Sequence, residues 1–181
     1  MRFQRSSVFA DVVLVDLVPH GDERGFFART FCEREFADNG LAIGFPQHSL
    51  SFSRLKGTVR GMHYRLAPHA ETKLIRCLRG ALYDVLVDVR PGSPTFGRWE
   101  AYELTAVNRT QLYIPAGFAH GFQTLCDDVE VSYLISEFHG ADGNTGFRPD
   151  DPAVGIAWPL EFTTVSQKDR EWPAFGAIAG G

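Results

Sequence analysis

The sequence predicts a mainly β fold, an antiparallel jelly-roll β-barrel with a few short helices, on three observations. Apolar residues recur in short runs with a two-residue period, the signature of half-buried strands. Glycine and proline punctuate the chain between those runs, 18 Gly and 10 Pro in 181 residues, which is the spacing of sandwiches and barrels. Helical patterning is confined to one or two short stretches, too few for the crossovers that a parallel α/β sheet requires.

Val12–Val15 opens the first strand, and Phe26–Phe27 lies in a second, after the turn-prone stretch Gly21–Gly25. A helix is expected from Cys32 to Asn39, stopped by Gly40, because glycine takes the left-handed conformation that ends helices. Strands follow at Val59–Tyr64, Lys73–Leu78 and Ala81–Val89. The last two are joined across Arg79-Gly80 in the manner of a hairpin. Further strands are expected at Trp99–Leu104, Gln111–Ile114, Gly121–Leu125 and Val129–Ile135. Along Tyr83–Val89 the residues alternate, so one face is apolar and the other carries Asp84 and Asp88. No repeat or linker divides the chain, so residues 1–181 read as a single domain, a jelly roll of the cupin type.

A net charge of -4 argues against a surface built to grip nucleic acid or an anionic membrane. A small anionic ligand in a locally basic pocket remains compatible with it. Cys32, Cys77 and Cys126 are odd in number and contain no C-x-x-C pair, so they read as reduced thiols rather than a disulfide framework or zinc site. Met1–Arg5 lacks the apolar stretch of a leader, and no run approaches the length of a membrane span. A cytoplasmic location is expected.

A barrel of this size encloses ligands among inward-facing side chains. Three segments carry candidate chemistry: Arg60–Tyr64, Pro115–Phe122 and Ser132-Tyr133. By the two-residue period, Arg60, Met62 and Tyr64 share one face and Gly61 and His63 the other. His63 is a candidate because an imidazole side chain is suited to carrying protons at neutral pH, and His120 is flanked by Gly117 and Gly121, which let backbone approach a ligand. A metal-dependent cupin enzyme is the first alternative. Metal-binding cupins usually show an H-x-H pair, whereas the position two after His63 is Arg65 and no H-x-H occurs. No metal site is therefore expected.

The chain resembles the dTDP-4-dehydrorhamnose 3,5-epimerase family from Asp22 to Phe175. The resemblance rests on Asp22–Phe27, Gly57–Tyr64, Lys73–Cys77, Asp84–Arg90 with Ser93–Gly97, Ile114–Phe122, Val131–Tyr133, Ile156–Pro159 and Ser166–Asp169. It implies an isomerase acting on a nucleoside-diphosphate 4-keto-6-deoxy sugar, with neither metal nor redox cofactor. The C4 ketone of such a sugar acidifies the C3 and C5 hydrogens. By the same resemblance His63 is the base, Asp169 its orienting partner and Tyr133 the acid on the opposite face. Lys73 steadies the enolate oxygen, a fixed positive charge where negative charge develops. Arg24 and Arg60 are implied contacts of the diphosphate, with Lys168 and His120 as further substrate contacts. Gln47, Ser49 and Ser53 lie in the segment that holds the nucleotide. The resemblance also implies a homodimer whose strands near the amino terminus cross between subunits, and the valine-rich segment Val8–Val18 is compatible with that interface.

Departures from the family pattern cluster at the nucleotide end. Arg29 stands where relatives commonly carry a base-contacting Glu, and both Phe27 and Arg29 are implied substrate contacts. Gln47-His48-Ser49 replaces Gln-Asp-Asn or Gln-Glu-Asn, and His139 replaces a Tyr that stacks on the base. The nucleotide (dTDP, CDP or GDP) and the inverted carbon (C3, C5 or both) therefore stay open at this level. A sugar-nucleotide binding protein without catalysis is the third reading.

Overall fold

The computed structural model describes residues 1–140 and 142–177. Alternating apolar side chains set its strands: β1 (Arg2–Arg5), β2 (Val13–Asp16), β3 (His20–Asp22), β4 (Gly25–Phe27), β5 (Gln47–Ser53), β6 (Thr58–Arg65) and β7 (Lys73–Arg79). After these come β8 (Ala81–Asp88), β9 (Trp99–Thr105), β10 (Gln111–Ile114), β11 (Phe118–Thr124), β12 (Val129–Ile135), β13 (Asn144–Gly146) and β14 (Thr164–Val165). Helix α1 (Glu33–Asp38) lies between β4 and β5 and ends at Asn39, with Gly40 at φ 70° as expected. A second helix, α2 (Gln167–Glu171), follows β14.

Two sheets face one another. One runs in the order β1-β2-β10-β7-β12-β5, and the other β13-β6-β11-β8-β9 with β14 added parallel to β6. Each sheet ends in edge strands, so the jelly roll is an open sandwich rather than a closed barrel. Between the sheets, Ile75 and Cys77 of β7, Leu112 and Ile114 of β10 and Val131 of β12 meet Leu82 and Leu86 of β8, Leu104 of β9, and Phe118 and Phe122 of β11. Each large apolar side chain buried here contributes about 1.5–3 kcal/mol. The outer face of the second sheet is also covered. Val85 and Val87 pack with Phe147, Val154 and Phe175 of the chain's last third, which folds back across β8.

Two expectations change and two readings gain detail. The hairpin across Arg79-Gly80 does not form: β7 pairs with β10 and β12, while β8 pairs with β11 and β9 in the other sheet. The chain turns a corner between layers there. Gly80 sits at φ 79°, and a Cβ on it would fall 2.8 Å from Cys126 Sγ, so only glycine suits the corner. Second, both faces of β8 are interior, since Asp84 and Asp88 on its acid-bearing face are fully buried. Third, Val12, Val13 and Val15 of the valine-rich segment are buried in the core of their own chain. Fourth, β11 starts at Phe118, three residues before its expected start.

Candidate active site

The open end of the second sheet, together with β5, β7, β12 and α2, forms a cleft of about 660 Å³. His63, Tyr133, Lys73, Asp169, Arg60, His120, Lys168, Ser49 and His139 all line it. Residues from five strands and a helix thus converge, although they span more than a hundred positions in the chain.

A bulge sets the β6 wall. His120 pairs with His63 and Phe122 with Arg60, so two residues of β6, Gly61 and Met62, oppose the single Gly121 of β11. The extra residue breaks the two-residue period. Arg60 and His63 consequently both line the cleft, which corrects the assignment of Arg60 and His63 to opposite faces. The strands approach so closely that a Cβ on Gly121 would lie 2.8 Å from the Arg60 carbonyl.

His63 Nε2 is 2.6 Å from Asp169 Oδ1. Asp169 sits in α2, whose amino end is capped by Ser166 Oγ accepting the Asp169 N–H at 3.1 Å. The Ser-x-x-Asp spacing is the local signal for this helix. Asp169 Oδ2 accepts the Gly61 N–H at 3.2 Å. Burial pushes the Asp169 carboxyl up, but His63, Gly61 and Ser166 outweigh it and hold the group below its ordinary value. Asp169 is therefore an ionised acceptor at neutral pH, which puts the imidazole proton on Nε2 and leaves the Nδ1 lone pair as the basic site. Trp172 stands edge-on to the ring with centroids 6.3 Å apart, and Lys168 Nζ lies 5.3 Å from the Trp172 centroid.

Tyr133, on β12, holds its hydroxyl 3.1 Å from Ser51 Oγ. Burial, with the nearby charge of Asp84, pushes its phenol up to about 12, so it carries its proton throughout the neutral range. His120 Nε2 is 2.9 Å from Asp84 Oδ2. Burial drives the Asp84 carboxyl upward against the opposing pull of His120 and Lys73. Asp84 escaped sequence reasoning, although an acid in an otherwise apolar strand was its signal.

Five of the expected substrate contacts lie outside this cleft. Arg24 is 83% exposed on the β3–β4 hairpin and pairs with Asp22 at its tip. Phe27 on the same hairpin is 75% exposed. Arg29 pairs with Glu35 of α1 at 3.3 Å. Ser53 is buried and accepts from Arg60 Nε at 3.0 Å, so it orients Arg60. Gln47 accepts the His139 N–H through its side-chain oxygen and so braces the segment that carries His139. Among the described residues, no group of three or more His, Cys, Asp and Glu side chains is placed to hold a metal ion, and no helix is long and apolar enough to cross a membrane.

A jelly-roll sandwich whose open end joins a His–carboxylate pair to a protonated tyrosine and a lysine defines a cupin-type protein equipped to move protons on a bound small molecule. The family model described as dTDP-4-dehydrorhamnose 3,5-epimerase matches residues 6–177, and the chain belongs to that family of isomerases. A dTDP-4-dehydrorhamnose 3,5-epimerase of Sinorhizobium fredii is 47% identical over 175 residues, covering 96% of this chain and 89% of the relative. Among solved structures, a dTDP-4-dehydrorhamnose 3,5-epimerase from Bacillus anthracis with TDP and PPi bound superposes with TM-score 0.92 at 39% identity, covering 96% of this chain and 98% of that one. A 3'-monoepimerase from Streptomyces bikiniensis in complex with dTDP-quinovose superposes with TM-score 0.87 at 35% identity, covering 94% and 86%.

Proposed function

We propose that this protein is an epimerase that inverts C3 and C5 of dTDP-4-dehydro-6-deoxyglucose, giving the 4-keto-rhamnose nucleotide, by metal-independent acid–base proton transfer. The 2.6 Å contact between His63 and Asp169, in one cleft with Tyr133 and Lys73, carries the reading.

His63 Nδ1 takes the proton from the carbon beside the ketone, the C–H bond breaks, and its electron pair moves onto the C4 oxygen as an enolate. Asp169 stabilises the imidazolium that forms. Lys73 stabilises the enolate oxygen. Tyr133 returns a proton to the opposite face, which inverts the carbon; Tyr133 is then reprotonated from solvent and His63 releases to solvent the proton it took. Arg60 and Lys168 hold the diphosphate, and Ser49 and His139 line the way to the nucleoside. The family name and the TDP bound to the Bacillus anthracis relative support a thymidine nucleotide. That a 3'-monoepimerase shares the fold keeps the choice of carbon a matter of sugar placement.

The protein acts as one domain and as a cytoplasmic homodimer. Arg24 and Phe27 stand on an exposed hairpin away from their own cleft, so in this reading the hairpin reaches the cleft of a second copy. Exposed Leu50 and Phe52 on the edge strand β5 supply apolar surface for the same contact. Incubation in D2O with dTDP-, CDP- and GDP-4-keto-6-deoxyglucose, followed by NMR, tests the reaction. Deuterium is expected at C3 and C5 of the dTDP substrate; no incorporation at either carbon of any substrate overturns the reading.

A further inference from the structure

We propose that Glu71 is a positioning residue for Lys73, held in place from behind by the buried Arg65, so that the enolate-stabilising ammonium is fixed before substrate arrives. This rests on the epimerase reading above.

Lys73 Nζ is 3.0 Å from Glu71 Oε1, and the other carboxylate oxygen, Oε2, is 3.6 Å from Arg65 Nη1. All three side chains line the cleft and yet are nearly buried, with 13% of Lys73, 13% of Glu71 and 4% of Arg65 exposed. Arg65 is anchored in turn. Its Nη1 donates to the Phe138 carbonyl at 3.0 Å and its Nη2 to the Asp142 carbonyl at 2.9 Å. The row of charges thus runs from the loop that carries His139 to the lysine at the reacting end.

The order of charges matters. An ammonium on a four-carbon stem is a mobile point charge, and its catalytic value depends on being held where negative charge will develop. Glu71 alone would hold Lys73 but cancel its field. Arg65 shares the same carboxylate, so the row Arg65–Glu71–Lys73 keeps a net positive charge facing the cleft. The fully buried Asp84 faces His120 through Oδ2, whereas Glu71 is the acid that stands at ion-pair distance from Lys73.

A double-mutant cycle tests this with kcat and KM from the C3 and C5 exchange assay. Glu71→Gln keeps the shape and removes the charge; it is expected to lower kcat about tenfold with KM changed less than twofold. In a Lys73→Met background the same substitution is expected to cost nothing more, because its effect runs through the lysine. Glu71→Asp, which restores the charge, is expected to recover at least half of the lost kcat and provides the comparison should Glu71→Gln fold poorly. A loss of equal factor in both backgrounds, an unchanged kcat in Glu71→Gln, or Glu71→Asp no better than Glu71→Gln overturns the inference. Wild-type exchange is measured alongside. Its absence is the failure of the epimerase reading, whereas its presence with an additive cycle is the failure of this inference alone.

Discussion

At the residue scale, the chemistry divides between two groups held in opposite protonation states by their surroundings. Asp169 is kept ionised by His63, Gly61 and Ser166 despite its burial, and so readies His63 Nδ1 as a base. Tyr133 is kept protonated by burial, with its phenol up to about 12. This separation makes the two roles experimentally separable. Tyr133→Phe is expected to retain solvent-deuterium exchange at the acidified carbons, since His63 can take and return a proton on one face, but to lose inversion by at least a hundredfold. His63→Ala is expected to lose both by about a hundred- to ten-thousand-fold. NMR of the recovered substrate distinguishes exchange from inversion. Inversion at wild-type rate in Tyr133→Phe would remove Tyr133 from the mechanism.

At the element scale, β8 contributes polar groups to both ends of the fold. Its middle supplies Asp84 to His120, and its end supplies Asp88 to the turn that follows. Asp88 accepts from the Arg90 backbone and guanidinium and from Ser93 and Thr95, with distances of 2.6–2.9 Å. Burial raises its carboxyl, but these donors outweigh it and hold it at about 2. The folded value lies below the ordinary carboxylate value of 3.8, so the stabilisation is complete above about pH 4 and is lost as pH falls through about 2. The difference corresponds to about 2 kcal/mol. Asp88→Asn is expected to lower stability in urea unfolding by about that amount at pH 7, with the gap from wild type closing toward pH 2. A gap independent of pH would assign the loss to packing instead.

At the scale of the whole molecule, the hairpin is the feature that one chain leaves unexplained. Phe26 and Phe27 are exposed large apolar side chains on a two-stranded ribbon that belongs to neither sheet. If the hairpin completes a second copy's cleft, Arg24→Ala and His63→Ala damage opposite ends of the same shared site. Mixed after dissociation and reassociation, these two inactive variants are expected to regain up to about a quarter of wild-type activity, because half of the dimers are mixed and each mixed dimer holds one intact site. Sedimentation should show a dimer throughout. No recovery from mixed dimers would mean that Arg24 serves its own chain's cleft.

Strands β2, β4 and β6 to β12, with α1, were legible from periodicity and glycine stops, because burial of one face imprints a two-residue pattern directly on the residues. The amino acids of the acid–base set were legible through family motifs for the same local reason. Other features were not. β5, Gln47–Ser53, carries a weak alternation, and its pairing with β12 defines it. The corner at Gly80 mimics a hairpin because both structures need only a glycine with positive φ between two apolar runs; which sheet accepts the second strand is a matter of long-range pairing. The shared wall of Arg60 and His63 depends on a bulge between strands more than fifty residues apart. Sequence by itself determined the fold class and the family, and it named the residues proposed for proton transfer. Only the tertiary structure decided that Asp84 faces the interior, that Glu71 and Arg65 stand behind Lys73, and that Arg24 and Phe27 leave their own cleft, since each is a relation between segments that no local pattern encodes.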